Sequence, residues 1–295
     1  MINLTIHNSN CLNYLKSLAS DSVDVVVTSP PYNINVKYAS YKDNRPETDY
    51  LTFLQAVFYE IYRILTPEGS FFLNYGSKST NRELQTKVEN LLIQPFGPEL
   101  HDIKFYMQNK ITWVKSISFD DTSRGHFNPI NSSRFLNDCY EMVYHVTKTK
   151  KVPLDREAIG VPYKDKSNIK RYNKKGKDLR CRGNVWFIPY KTVQKSKNFP
   201  SAFPPELPEW CIKLHGVKNT SLVVDPFGGA GNTLLACAKL GVRGVAVDVD
   251  MGYCKIMVEK VKAFADETNM FAVNVDSISD YETRISLFPD NTNQN

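Results

Sequence analysis

The sequence lacks any apolar run that approaches the ~18 residues of a membrane-spanning helix. Its first residues, MINLTIHNSN, also lack the basic-then-apolar order of a secretory signal peptide. We therefore expect a cytoplasmic protein with no membrane partner. The composition is not that of a disordered chain, because 42% of the 295 residues are hydrophobic and 23% are charged. It suits one large domain, or one domain with an insert.

Paired cysteines and internal repeats are also missing. The six cysteines contain no C-x-x-C pair and lie at positions 11, 139, 181, 211, 237 and 254. Because zinc sites and disulfide frameworks use closely spaced cysteines, neither is indicated. We expect no metal, and cysteines that are reduced and mostly structural.

Positive charge is concentrated in one segment. Residues 148–182 contain 13 Lys and Arg against four Asp and Glu, so this segment carries +9 and the rest of the chain −3 of the total of +6. Tyr163 and Tyr172 lie among the basic residues, and aliphatic residues are few. Such a segment suits a surface that binds phosphates. A solvated loop is the alternative interpretation.

Strand-like and helix-like segments alternate along the chain. A helical period places Leu54, Phe58 and Ile61 on one face of residues 50–65. The predicted strands cover residues 23–28, 70–75, 110–114, 140–146, 222–224 and 245–249, and the predicted helices cover 50–65, 205–215, 234–240 and 253–264. This alternation predicts an α/β fold with a doubly wound, mostly parallel sheet, whose sites lie at the carboxyl ends of strands.

The stretch SLVVDPFGGAGNTLLACAKLGVRGVAVDVD (221–250) reads as a strand, a glycine-rich turn, a helix and a second strand. Glycines in the turn allow a ligand to approach the backbone closely, and Asp248 lies where a carboxylate can bind both hydroxyls of a ribose. A nicotinamide cofactor is disfavoured, because the third glycine of G-x-G-x-x-G is missing. Asp225 would repel a pyrophosphate but attract an ammonium-bearing ligand such as S-adenosylmethionine. A plain strand-to-helix turn is the alternative.

A proline-rich turn, TSPPYNI (28–34), follows the first strand-like run. Pro30 and Pro31 remove two backbone donors, which leaves carbonyl oxygens and the Ser29 hydroxyl free to face a pocket. Such a site suits a ligand that donates hydrogen bonds, for example the exocyclic amine of a nucleobase, and the Tyr32 ring offers a stacking surface. In isolation the same residues would be a stiff loop.

Together these motifs resemble the beta class of S-adenosylmethionine-dependent DNA amino-methyltransferases. The resemblance covers most of the chain and is carried by IHNSNCLNYLKSLASDSVDVVVTSPPYN (6–33), LTPEGSFFLNYG (65–76), KITWVK (110–115), SSRFLNDCYEMVYHVTK (132–148), GNVWFIP (183–189), FPSAFPPELPEWCIKL (199–214) and VVDPFGGAGNT (223–233). The resemblance implies a Rossmann-like, mixed but mostly parallel sheet with an inserted basic target-recognition region. The implied domains are a catalytic half (1–147), the target-recognition region (148–197), a cofactor half (198–285) and a frayed tail (286–295).

The resemblance also implies the site residues. The catalytic motif is Ser29, Pro30, Pro31 and Tyr32. The cofactor-binding residues are Asn10, Cys11, Ser201, Ala202, Phe203, Asp225, Phe227, Gly228, Gly229, Gly231, Asn232, Thr233 and Asp248. The DNA-binding residues are Lys170, Arg171, Lys174, Lys175, Lys177, Arg180 and Arg182. In the family, Asp often stands where this chain has Asn10, and contact between Asn10 and the cofactor adenine stays open.

The implied reaction is methylation of an exocyclic amine in double-stranded DNA. A motif that begins with Ser29 rather than Asp is associated in the family mainly with cytosine N4, and less with adenine N6. The Ser29 side chain and the Pro30 carbonyl would accept hydrogen bonds from the amine of a flipped base that stacks on Tyr32. The loop 33–44 would close over that base, or be an ordinary surface loop. A cognate restriction endonuclease and a homodimer are further partners that the resemblance leaves open.

Two other function classes are open from the sequence. A methyltransferase of protein glutamine or RNA shares proline turns of this kind, but we would expect Asn at position 29 and the cofactor motif first. A non-catalytic DNA-binding partner would not need the intact catalytic motif or the intact glycines.

Overall fold

The structure is a computed structural model that describes residues 2–38, 40–77, 79, 81–125, 130, 132–172, 176–189, 202–268, 271–279 and 282–288. The strands are β1 (Ile2–Asn8), β2 (Val23–Thr28), β3 (Leu65–Tyr75), β4 (Tyr106–Val114), β5 (Ser116–Phe119), β6 (Thr122–Gly125), β7 (Tyr140–Thr147), β8 (Val185–Phe187), β9 (Leu222–Asp225), β10 (Arg243–Asp248), β11 (Phe271–Ser279) and β12 (Glu282–Phe288). The helices are α1 (Cys11–Ser17), α2 (Glu47–Ile64), α3 (Glu83–Ile93), α4 (Asn168–Tyr172), α5 (Glu206–His215), α6 (Asn232–Leu240) and α7 (Met251–Glu267).

Ten strands form one sheet in the order β11-β12-β1-β10-β9-β2-β3-β7-β4-β8, and β5 and β6 form a separate hairpin. The central strands β1, β10, β9, β2 and β3 are mutually parallel, whereas β12 and β7 run antiparallel to their neighbours. The predicted α/β fold with a mixed, mostly parallel sheet is confirmed. Both halves of the sequence contribute to the centre of this sheet, since β1 and β2 flank β10 and β9.

Helices cover both faces of the sheet, which explains why β2 is a continuous apolar run. Val25 and Val27 pack into the core beneath α5, α6 and α7, whereas Val26 packs into the core beneath α2 and α3. All three valines are fully buried. Because successive side chains of a strand point to opposite faces, an alternating pattern would have left one face polar.

Several elements differ from their predicted bounds or were not predicted. Helix α2 begins three residues before the predicted helix 50–65. Strand β3 includes residues 66–69, where the pairing with β2 shifts register between the Val23–Leu65 and Val25–Ser70 pairs. The unpredicted elements are β1, α1, α3, the β5–β6 hairpin, α4, β8, β11 and β12.

The predicted frayed tail, 286–295, begins inside a strand. Strand β12 extends to Phe288 and pairs antiparallel with β1, and the Leu287 side chain is fully buried. The hydrophobic contact with β1 therefore orders residues that look like a tail in the sequence. Residues 289–295 lie outside the described part of the chain.

The basic segment packs on the main core where it is described. Val152 and Ile159 are buried, and the Asp155 amide donates to the Leu214 carbonyl on α5. Strand β8, inside the predicted region 148–197, adds to the edge of the main sheet beside β4.

All six cysteines are free, and four of them are buried. Within the described residues, no helix is long and apolar enough to cross a membrane.

Candidate functional site

A cavity of about 320 Å³ opens where the parallel strands β2, β9 and β10 end. The residues that follow these strands include Ser29 after β2, Pro226 after β9 and Val249 after β10, and all three line the cavity. This is the position at which parallel α/β sheets bind ligands, because the loops there leave the core in the same direction. The proline turn and the glycine turn thus share one cavity.

The proline turn is held by its own side chains and by α2. The Tyr50 hydroxyl donates a 2.7 Å hydrogen bond to the Pro31 carbonyl, so this oxygen already has a donor. No hydrogen bond reaches the Pro30 carbonyl from the residues that the structure describes. The Ser29 hydroxyl lies 2.7 Å from the Tyr32 hydroxyl. Ser29, Pro30, Pro31 and Tyr32 all line the cavity.

The Tyr32 hydroxyl belongs to a polar cluster that reaches across the sheet. It lies 3.0 Å from the Glu141 carboxylate on β7 and 2.7 Å from the side-chain amide nitrogen of Asn74 on β3. The Lys115 ammonium, 2.9 Å from Glu141, pairs with that carboxylate. The Tyr32 ring packs on Tyr75 with centroids 4.6 Å apart. Burial, followed by the charge of Glu141, raises the pKa of Tyr32 well above its usual value, so its hydroxyl stays protonated.

The glycine turn between β9 and α6 requires glycine at Gly231. Its φ of +73° lies in the left-handed region, and a Cβ there would be 3.0 Å from the Met257 side chain on α7. Gly228 is equally enclosed, since a Cβ would lie 2.9 Å from the Ala246 Cβ on β10. The Gly228 amide donates to the Val247 carbonyl, which fixes the turn against the neighbouring strand.

Asp248 ends β10 and lines the cavity. One carboxylate oxygen accepts from the Gly229 amide at 3.0 Å, and the other accepts from the Asp250 amide at 2.9 Å. Burial raises the pKa of Asp248, although these two backbone donors lower it. The carboxylate is therefore oriented by the glycine turn on one side and by the start of α7 on the other.

Asp225 is not placed where the sequence suggests. Its side chain is 1% exposed and is not among the residues that line the cavity. The Thr28 and Thr233 hydroxyls each donate to it at 2.6 Å, and the Phe227 amide donates at 3.1 Å. These donors turn the carboxylate into the core, which corrects the expectation that Asp225 faces a bound ammonium group. Thr233, itself 1% exposed, is likewise turned away from the cavity.

The first residue of α6 connects the glycine turn to the residues before α5. The Asn232 side chain donates to the Phe203 carbonyl at 2.5 Å and accepts from the Lys260 ammonium at 2.5 Å. Ala202, Phe203 and Asn232, which were predicted to bind the cofactor, line the cavity. Gly231 is not a lining residue, and Ser201 lies outside the described residues.

Asn10 and Cys11 also line the cavity at the start of α1. The Asn10 side-chain oxygen caps this helix by accepting from the Leu12 amide at 2.9 Å. The side-chain nitrogen and the second lone pair of the oxygen are the groups through which a ligand can bind the Asn10 side chain without breaking the cap. Cys11 is buried, and burial raises the pKa of its thiol to about 12, so the thiol is neutral.

The loop 33–44 is folded against the cavity wall. The Asp43 carboxylate accepts from the backbone amides of Asn33, Ile34 and Val36 at 2.7–3.0 Å. The Ser40 hydroxyl donates to Asp250, which ties the loop to the start of α7. The lining residues of this loop are Ile34, Val36, Tyr38, Ser40 and Tyr41. Their attachment to Asp250 places them beside Asp248 on the cavity wall.

The predicted DNA-binding residues lie outside the cavity where they are described. Lys170, Arg171, Lys177 and Arg180 are exposed. Arg182 is different, because its guanidinium stacks 3.9 Å from the Trp210 ring centroid and donates to the Ile159 carbonyl. This packing gives Arg182 a structural contact that its sequence position did not reveal. Lys174 and Lys175 lie outside the described residues.

Sequence reasoning missed the polar residues that β3, β4 and β7 contribute. Asn74 and Glu141 line the cavity, as does Lys115 just after β4. Asn74 and Glu141 each interrupt an otherwise apolar strand, at positions where the alternation predicts burial. A polar residue at such a position was the available signal. Their convergence depends on long-range pairing of β7 with β3 and β4.

Comparison with known proteins shows the family to which the chain belongs. Residues 23–259, more than half of the chain, match the family of DNA methylases of the N6/N4 type. The chain is 27% identical over 276 residues to the type II methyltransferase M.BglII of Bacillus subtilis. The aligned residues cover 90% of this chain and 71% of that protein.

Solved structures show the same fold. The PvuII DNA methyltransferase, a cytosine-N4-specific enzyme, aligns with a TM-score of 0.62 at 18% identity, over 90% of this chain and 92% of that one. The structure of M1.HpyAVI in complex with SAM aligns with a TM-score of 0.50 at 20% identity, over 87% of this chain and 99% of that one. At these identities the likeness concerns the fold.

Proposed function

The chain belongs to the DNA methylase family of the N6/N4 type, and from that premise we propose that it transfers a methyl group from S-adenosylmethionine to the N4 amine of cytosine in a short DNA sequence. The observation that carries the proposal is the cavity shared by Ser29, Pro30 and Asp248. It brings oxygen acceptors for an amine next to the glycine turn and its carboxylate.

The charge of the cavity supports a cationic cofactor. Its lining contains four carboxylates and two cationic side chains: Asp138, Glu141, Asp248 and Asp250, with Arg45 and Lys115. Such a lining disfavours a pyrophosphate and favours the sulfonium and ammonium charges of S-adenosylmethionine. M1.HpyAVI, whose fold this chain shares, binds SAM. When bound, this cofactor supplies an electrophilic methyl group.

The predicted cofactor-binding residues that line the cavity have positions that suit their proposed roles. Asp248, oriented by two backbone amides, would bind the ribose hydroxyls. Phe227, Gly228 and Gly229 would contact the methionine part, together with Ala202 and Phe203. Asp225 would act indirectly, because its carboxylate holds the ends of β2 and β9 together.

The chemistry required of the chain is activation of a weak nucleophile. The lone pair of a nucleobase amine is delocalised into the ring, and acceptors at its two hydrogens localise it on nitrogen. The Ser29 oxygen and the Pro30 carbonyl would be those acceptors, and they would stabilise the positive charge that nitrogen gains during transfer. Their fixed positions on a proline turn remove the entropy cost of orienting them.

The base must leave the duplex to reach this cavity, at a cost of a few kcal/mol. Tyr32 would offset part of that cost by stacking, since its hydroxyl is anchored and its ring lines the cavity. The exposed basic residues, among them Lys170 and Arg171, would bind the phosphates. A cognate restriction endonuclease is part of the proposal because M.BglII is a type II methyltransferase. A homodimer remains a prediction, which light scattering of the purified protein tests.

Identification of the product nucleoside tests the proposal. The protein is incubated with mixed-sequence duplex DNA and S-adenosylmethionine, and the digested nucleosides are analysed by mass spectrometry. N4-methylcytosine is the expected product, as the serine at position 29 indicates. N6-methyladenine as the product would show that the amine methylated is N6 of adenine instead of N4 of cytosine. DNA binding without any methylated nucleoside would contradict it in favour of a non-catalytic partner.

A further inference from the structure

The polar cluster behind the proline turn is a directed chain of hydrogen bonds. It runs from Ser29 through the Tyr32 hydroxyl to the Glu141 carboxylate, with contacts of 2.7 and 3.0 Å. The bond between the two hydroxyls can point in either direction. Its direction decides whether the Ser29 oxygen can accept a hydrogen bond from a substrate, because a hydroxyl has only one hydrogen.

Glu141 determines that direction. A carboxylate cannot donate, so the Tyr32 hydrogen must point to Glu141 for this 3.0 Å contact to be a hydrogen bond. The Tyr32 oxygen then accepts from the Asn74 amide at 2.7 Å and from the Ser29 hydroxyl. The Asn74 carbonyl, 3.5 Å away, is too distant to compete with the charged acceptor. With its hydrogen engaged, the Ser29 oxygen presents only lone pairs to the cavity.

Glu141 also orients the Asn74 side chain. The Asn74 amide nitrogen lies 2.7 Å from Glu141 and 2.7 Å from the Tyr32 hydroxyl, so both of its hydrogens have acceptors. The opposite orientation would place the amide oxygen against a carboxylate. Within the described part of the chain, the Asn74 side-chain oxygen is buried and has no hydrogen-bond partner.

We propose that Glu141 is the positioning residue of the reaction: its charge makes Ser29 an acceptor toward the target amine. The inference rests on the proposed amine methylation, and it assigns to β7 a part in that site. Lys115 balances the Glu141 charge at 2.9 Å, on the side of the carboxylate away from Tyr32 and Asn74.

Glu141→Gln is the sharpest variant, because glutamine keeps the shape but can donate. A donating amide at position 141 lets the Tyr32 hydrogen turn to Ser29, whose own hydrogen then points at the amine. We expect kcat to fall on the order of 10²-fold, with the dissociation constant of S-adenosylmethionine changed less than about twofold. Glu141→Asp keeps an acceptor-only group and should retain at least about a tenth of the wild-type kcat.

A double-mutant cycle separates positioning from mere stability. If Glu141 acts on Ser29 through the Tyr32 hydroxyl, Tyr32→Phe combined with Glu141→Gln should be within about threefold of the worse single variant. Glu89→Gln is the matched control, since Glu89 pairs with Lys110 at another position on β4. This control should leave kcat unchanged. The proposal would be overturned if the fold-reductions in kcat of the two single variants multiplied in the double variant, or if Glu141→Gln kept the wild-type kcat.

Neutron diffraction of the deuterated wild-type protein tests the same inference without any activity. The deuterium of Tyr32 should lie on the line to Glu141, and that of Ser29 on the line to Tyr32. A Tyr32 deuterium that points to Ser29 would overturn the inference even for an active enzyme. A wild-type protein that methylates no DNA would instead contradict the proposed function, and the deuterium positions would still decide the role of Glu141.

Discussion

The Thr28 hydroxyl donates a 2.6 Å hydrogen bond to the buried carboxylate of Asp225. Thr28 is the last residue of β2 and Asp225 the last of β9, so this bond joins the two strands at the cavity. Ser29 follows Thr28 directly, and the glycine turn begins one residue after Asp225. The proline turn and the glycine turn are thereby fixed relative to each other.

The cofactor assignment predicts a binding defect at the end of β10. Asp248→Ala removes the carboxylate that the Gly229 and Asp250 amides orient. We expect the dissociation constant of S-adenosylmethionine to rise about 10- to 100-fold, the effect of losing a charge-assisted hydrogen bond worth about 1.5–3 kcal/mol. Isothermal titration calorimetry measures it. The exposed Asp266→Ala on α7 is the control, and equal affinity of the Asp248 variant would remove the assignment.

The glycine turn predicts a stability difference between two glycines of the same conformation. Gly231 and Gly241 have φ of +73° and +72°, but only at Gly231 would a Cβ meet another side chain, that of Met257. Gly241→Ala should cost about 1–2 kcal/mol of the free energy of unfolding, from backbone strain alone. Gly231→Ala should cost more. Urea unfolding followed by circular dichroism gives both values, and equal losses would show that Met257 moves aside freely.

The basic segment predicts that salt weakens DNA binding to the same extent for every DNA sequence. Lys170 is exposed on α4, and its replacement by Gln should remove one of the proposed phosphate contacts. The slope of the logarithm of the DNA-binding constant against the logarithm of the salt concentration should become shallower by about 0.9 on every duplex tested. Fluorescence anisotropy at several salt concentrations measures this slope. Arg182→Gln should instead lower the melting temperature, since the guanidinium stacks on Trp210. An unchanged slope for the Lys170 variant would place the DNA elsewhere.

A buried histidine predicts how stability depends on pH. His145 is fully buried between Ser70 and Asn109, and burial, with a smaller contribution from His215, lowers its pKa to about 3. Between this value and the unfolded pKa of about 6.5 the unfolded chain binds more protons, so stability falls as pH falls, by up to about 1.4 kcal/mol per pH unit.

The matched variant for this prediction is His145→Gln, which cannot titrate. Asp225 has the opposite effect, because burial raises its pKa to about 6 and its protonation favours the folded state as pH falls. This contribution is common to both proteins and cancels in their difference. The free energies of unfolding should therefore differ most at neutral pH and converge toward pH 5. Parallel curves would show that folding does not lower the pKa of His145.

The sequence was sufficient where backbone chemistry is local. Three sets of residues determine the backbone conformation within a few positions of themselves: the valines of β2, the prolines after Thr28 and the glycines after Asp225. These restrictions predicted the parallel sheet and the two turns of the site. Local patterns also gave α2, α5, α6 and α7 to within a few residues of their observed bounds.

The remaining features depend on partners far along the chain. β12 is a strand because it pairs with β1, which lies 275 to 285 residues earlier, for instance Leu287 with Ile2. Glu141 reaches Tyr32 only because β7 lies beside β3, and Asp225 is turned inward by Thr28 and Thr233. A carboxylate that receives three donors in the core cannot be distinguished in the sequence from one that faces a ligand.

The central claim is that the Ser29 oxygen accepts a hydrogen bond from the amine that is methylated. Its most direct test is single-turnover transfer of a tritiated methyl group by Ser29→Ala, with enzyme in excess over duplex DNA. The account predicts a rate lower by on the order of 10²–10³-fold, with S-adenosylmethionine bound as tightly as by the wild type. Transfer at the wild-type rate would contradict it.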